Sequence, residues 1–159
     1  MKSNPYTSDF IWLGGTWRTV SWKDGIWMFG LWLSGTWEKG TWKSGTWESG
    51  IWNDGTWESG LWKKGIWNNG SHLSGIWENG TWNNGTWKSG VWKSGTWNNG
   101  FWKDGVWISG TWIKGKWIKG LIYDPDKKGF PEESSYRMND FCLTIRNPKE
   151  YFENEHDRN

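Results

Sequence analysis

A chain of 159 residues is long enough to bury a core as one domain with an appendage. Its formal charge of +2 is too small to imply a nucleic-acid partner, and Cys142, the only cysteine, excludes an intrachain disulfide. The anomaly is aromatic: 21 tryptophans and 23 glycines exceed ordinary usage by far, yet no apolar stretch approaches bilayer length, so no membrane span is expected.

The chain opens "MKSNPYTSDFIWLGG", which lacks the apolar run and small-residue cleavage site of a secretion signal. With the lone cysteine this predicts a cytoplasmic location, or a virion assembled inside a cell. Residues 1–10 read as an N-terminal cap that lays Tyr6 and Phe10 over whatever follows. Met28, Phe29 and Leu33 then occupy slots that are polar elsewhere, an apolar patch expected to be covered by the N-terminal segment or by a partner.

From residue 11 to 122 a five-residue unit repeats without a slip. Its tryptophans are Trp12, Trp17, Trp22, Trp27, Trp32, Trp37, Trp42, Trp47, Trp52, Trp57, Trp62, Trp67, Trp77, Trp82, Trp87, Trp92, Trp97, Trp102, Trp107, Trp112 and Trp117. His72 takes one tryptophan slot, and Ile122 continues the lattice by a step. A glycine stands two places before almost every one.

A period of five matches neither a helix stripe nor a long strand, and a glycine in each unit would cost a helix roughly 1 kcal/mol every time. The residue before each tryptophan is mostly Thr, Ile, Val, Leu or Ser, a strand-forming set. The two residues after it are mostly Lys, Glu, Asn, Ser or Asp, which suit a solvated bend. The pattern predicts a three-residue strand, Gly-x-Trp, and a two-residue polar corner, wound into a solenoid with coils about 4.8 Å apart. Burying an aromatic side chain is worth about 3 kcal/mol, and a score of bare indoles would make an apolar patch far beyond the usual few hundred Å². The tryptophans are therefore expected to face inward as a core ladder, each N–H meeting a backbone carbonyl at a bend.

In "GTWES" the small slot is Gly45, followed by Thr46, the large centre Trp47, and the variable pair Glu48 and Ser49. This resembles the pentapeptide-repeat family, over residues 10 to about 122. The resemblance implies an all-β, right-handed quadrilateral β-helix with four units per coil, hence about five and a half coils and a rod of roughly 25 Å at that spacing. The family normally carries leucine or phenylalanine at the centre and alanine at the small slot, where this chain has tryptophan and glycine. The outward residues leave the coil size open. Thr16, Thr36, Thr56 and Thr96 recur at twenty, as do Lys23, Lys43, Lys63 and Lys103, and Glu38, Glu58 and Glu78. A spacing of fifteen gives about as many coincidences.

Residues 123–159 form a tail that reads as a cap or a docking element. A loop at "DPDKKGFPEES" leads to a short strand over Phe141 to Ile145, then to a short helix started by Asn147 and Pro148. Tyr136, Phe141, Tyr151 and Phe152 are the candidate docking residues. Residues 12–121 carry twelve Lys/Arg against seven Asp/Glu, and residues 122–159 carry six against nine, so a mildly basic body bears a mildly acidic tail, and the two could as easily attract each other as an outside partner.

No catalytic constellation is expected. The histidines are His72, in a core slot, and His156, near the end of the chain. Asp124 and Asp126 lack the further ligands of a calcium loop. Cys142 sits in an apolar strand with no histidine nearby in sequence. No phosphate loop or zinc pattern occurs, so neither cofactor nor metal is expected. The chain reads as a non-enzymatic scaffold that binds a protein partner or joins a larger assembly such as a phage or virus particle, with a homo-oligomer through an end or the tail as one form. The alternatives are a DNA mimic acting on a topoisomerase, a role the resemblance allows but the basic repeats oppose, and an ice- or carbohydrate-binding solenoid.

Overall fold

The computed structural model describes residues 10–18 and 21–123, and throughout them the chain is a parallel β-solenoid. Each five-residue unit contributes a two-residue strand, such as Thr46–Trp47 or Ile51–Trp52. Each strand pairs with the one fifteen residues along, Thr41 with Thr56 and Trp42 with Trp57. The strands stack into three sheets of eight, eight and six, which form the three walls of the rod. The first wall turns Trp12, Trp27, Trp42, Trp57, His72, Trp87, Trp102 and Trp117 inward. The second carries Trp17, Trp32, Trp47, Trp62, Trp77, Trp92, Trp107 and Ile122. The third carries Trp37, Trp52, Trp67, Trp82, Trp97 and Trp112, with Trp22 bridged to Trp37 beneath them.

The ladder is regular. In nearly every unit above the first coil the N–H before the tryptophan donates to the glycine carbonyl of the coil below, and the N–H after it donates to the tryptophan carbonyl there; Thr56 to Gly40 is 2.9 Å and Glu58 to Trp42 is 2.7 Å. The expected all-β solenoid of five-residue units is thus what forms. Its coil, however, holds three units and fifteen residues, which corrects the four-sided coil of twenty. About seven coils at the β-ladder spacing make a rod of roughly 34 Å, longer than the sequence reading implied.

The indoles account for the three-sided section. From the coil of Trp22 upward they stack between coils with ring centroids 4.6–5.0 Å apart and planes nearly parallel. Flat rings at that axial spacing keep a van der Waals separation of about 3.5 Å only by tilting roughly 43° from the axis. Equally tilted rings on three walls meet at about 73°, whereas rings on four walls would meet at about 58°. Neighbouring indoles in the chain meet edge to face at 70–75°, with centroids 5.8–6.1 Å apart. Each indole meets the next along the chain edge to face, three of them make one turn of the coil, and a fourth would force the coil wider. Every tryptophan from Trp17 to Trp117 is buried, almost all completely. Trp12, in the first coil, is half-buried and packs against that core, while Phe10 lies over Trp22 at 5.3 Å.

Glycine belongs to the corner and not to the three-residue strand that the pattern predicts. The strand is two residues long because the glycine before it belongs to the corner, with φ near +120° at Gly55 and Gly70. A Cβ on Gly55 would run into the carbonyl oxygen of Gly40 in the coil below, the same carbonyl that accepts the Thr56 N–H. Backbone conformation and close coil-to-coil approach therefore both exclude a side chain. Alanine in place of glycine is not a matter of exchanging core volume.

The N-terminal cap residue Tyr6 and the tail residues Tyr136, Phe141, Cys142, Asn147, Pro148, Tyr151, Phe152 and His156 lie outside the described residues, as do Asp124 and Asp126. Within them Met28 and Phe29 are exposed, and Leu33 is half-buried.

Core and surface should respond very differently to substitution. Trp52→Ala, in a fully buried stack, is expected to cost about 3–5 kcal/mol in urea unfolding followed by tryptophan emission. Asn68→Ala, on the outer surface, is expected to cost no more than about 1 kcal/mol. Gly55→Ala should cost at least about 1–3 kcal/mol through backbone strain alone. Near-neutral behaviour of Gly55→Ala would contradict the close approach of the coils.

Candidate functional site

With the tryptophans inside, the outward slots and the one irregular core layer are the places for function. Outward side chains fall into columns with a repeat of fifteen. At the corner between the third and first walls Asn53, Asn68, Asn83 and Asn98 form an amide ladder, each side-chain N–H donating to the Oδ1 below at 2.9, 2.8 and 2.7 Å. Asn69, Asn84 and Asn99 follow them in sequence on the same corner.

The charged residues of the lower coils are arranged as opposite-sign steps. Lys23 bridges Glu38, Lys43 bridges Glu58 at 2.8 Å, Lys63 bridges Glu48 at 2.9 Å, and Lys39 lies 3.5 Å from Asp24. The Glu48 carboxylate, bonded to Lys63, holds that ammonium's pKa above its ordinary value. All are solvated pairs, and water and salt screen their attraction. They set register and surface character more than stability.

This arrangement overturns the columns inferred from a repeat of twenty. Thr16 lies on the second wall, Thr36 and Thr96 on the third, and Thr56 on the first, so they make no flat threonine rank. Lys23, Lys43 and Lys63 sit on three different corners, as do Glu38, Glu58 and Glu78, and Lys23 and Lys43 pair with Glu38 and Glu58 at a spacing of fifteen. A signal for this was present in the sequence: a repeat of twenty would set Lys above Lys and Glu above Glu, whereas fifteen sets Lys above Glu. Charge complementarity, and not residue identity, was the informative count.

The upper coils are different. Lys88, Lys93, Lys103 and Lys114 are all exposed and form no ion pair among the described residues. Lys88 and Lys103 occupy successive steps of one column, one coil apart. Like charges stacked across a ladder repel.

Inside, His72 replaces an indole in the fifth layer of the first wall. It is fully buried, lies parallel to Trp57 and Trp87, and stacks on Trp87 at 3.8 Å. Ten indoles, Trp52 among them, donate their N–H to a bend carbonyl seventeen residues on, in the coil above. His72 approaches the corresponding carbonyl, that of Ser89, but neither of its ring nitrogens completes a hydrogen bond. Burial pushes its pKa down to about 3, against a weaker upward pull from that carbonyl. The indole N–H groups of Trp57 and Trp87, directly below and above, also lack a hydrogen-bond partner, so the smaller ring is what sets this layer apart. His72→Trp should raise the unfolding free energy by about 1–3 kcal/mol at pH 7.5, by restoring a full indole to a slot that a smaller ring occupies. Chemical denaturation measures it, and a destabilised variant would show that the layer is not underfilled.

Among the described residues no group of three or more His, Cys, Asp or Glu side chains comes together that could hold a metal ion, and no helix is long and apolar enough to cross a membrane. No family model matches the chain, no curated protein matches it, and no solved structure matches its fold. What the geometry supports is a regular parallel β-solenoid with units five residues apart, a form compatible with a pentapeptide-repeat fold.

Proposed function

We propose that the chain is a non-enzymatic rod, a three-sided variant of the pentapeptide-repeat solenoid, that binds an acidic surface on a protein partner within a larger assembly. The observation that carries this reading is the uneven surface of an even core. Residues 12–85 hold six Lys/Arg and six Asp/Glu, arranged largely as bridges between coils. Residues 86–123 hold Lys88, Lys93, Lys103, Lys114, Lys116 and Lys119 against Asp104 alone. A rod selected only for its own stability would have no reason to stack Lys88 on Lys103 when its lower coils alternate sign. An acidic partner removes that repulsion and steers association. The walls also suit such a role, because a stacked indole core keeps the surface columns in fixed positions and less freedom is lost on binding.

Action as a DNA mimic draws no support from this surface, since mimicry needs a dense negative face and the exposed excess here is positive. A phage or virus particle is one setting for the assembly, and the tail of residues 123–159 is a second candidate contact.

Crosslinking in the native host with the full chain and with a Lys88→Glu/Lys103→Glu variant tests the reading. The wild type should capture a defined macromolecular partner, and the variant should bind it at least about tenfold more weakly at low salt, with unchanged tryptophan emission. Absence of any partner above background, or equal binding by the variant, would refute it.

A further inference from the structure

His72 is the one titratable side chain among the inward positions of the described coils. Its backbone is undisturbed: Ser71 and His72 pair in register with Thr56 and Trp57 below and with Thr86 and Trp87 above. Its ring faces only aromatic and backbone groups. Trp57 and Trp87 lie parallel to it, while Trp67 and Trp82 meet it edge-on at 6.1 and 6.4 Å. Gly90 and the Ser89 carbonyl close the corner above. The charged residues of the flanking coils, Glu58, Lys63, Lys64, Glu78 and Lys88, follow an inward position by one or two residues and lie on the solvent side of the backbone. No carboxylate is placed to receive an imidazolium.

We propose that His72 is an acid-sensitive break point: a proton taken up from solvent by its ring opens the rod at this layer while the coils below and above remain wound. The reason is structural. A neutral imidazole fits the stack as a small aromatic. An imidazolium would have to leave water for a layer that offers it no counter-charge and no completed hydrogen bond, so it is bound by the open layer and not by the closed one. A solenoid confines the consequence, because each coil contacts only its neighbours and a defect need not propagate. The fully indole-filled layers on either side hold nothing that titrates.

The sign follows from linkage. Burial places the folded-state pKa below that of an exposed histidine, so the open form binds the extra proton. Closure of this layer is fully stable above the ordinary histidine range and loses stability as the pH falls through that range toward about 3. The opening constant rises about tenfold for each pH unit across that window.

Amide hydrogen exchange on the full chain, expressed as protection factors between pH 7.5 and 4.5, reads this directly. The N–H groups of Leu73 and Lys88 bond across the layer, to Trp57 and His72. Their protection should fall by about fiftyfold between pH 6.5 and 4.5, well before that of Lys43 in the lower coils or Lys103 in the upper ones. In His72→Trp, or in His72→Phe should the tryptophan variant fail to fold, the early loss should vanish. Loss that begins at the rod ends, or that occurs equally without His72, would overturn the proposal.

Discussion

Everything in this molecule is subordinate to the way one indole lies on another. A β-ladder sets the coil spacing, and flat rings hung from that ladder make van der Waals contact only when tilted. Once tilted alike, rings on adjacent walls present edge to face, and three of them complete a layer at the angles observed. The wall number, the fifteen-residue coil and the length of the rod all follow from that geometry. Edge-to-face pairs add about 0.5–1.5 kcal/mol beyond burial, so the arrangement is favourable within layers as well as between them.

The glycines belong to the same constraint. Coils close enough for indole stacking bring the corner of one coil onto the carbonyl of the next, leaving no room for a Cβ. Tryptophan at the centre and glycine at the corner are therefore coupled choices. The corner positions that remain are released from packing, and they carry the amide ladder, the ion-pair steps and the excess lysines. A core this uniform leaves the surface free to vary, and among the described residues only His72, within the stack, and Ile122, at its upper end, carry variation into the interior.

Much of this was legible in the residues. The unbroken five-residue lattice, with strand formers before each tryptophan and polar residues after it, marked a stacked-coil rod with buried indoles. Side-chain alternation predicts a strand one residue too long, because it ignores the glycine's positive φ, a backbone property that no composition shows. His72 was visible as a lattice defect, but its isolation from every charge and from any completed hydrogen bond was not. The asparagines at 53, 68, 83 and 98 were equally visible, yet they become a ladder only once the coil length is known.

The sequence by itself determined the repeating unit, because a period of five admits neither a helix stripe nor a continuous strand, and it determined which side faces in, because bare indoles in such number are untenable in water. Only the tertiary structure decided how many units close a coil. That number depends on the tilt and contact angle of rings from different walls, a three-dimensional property to which each five-residue unit, being nearly identical to the next, is blind.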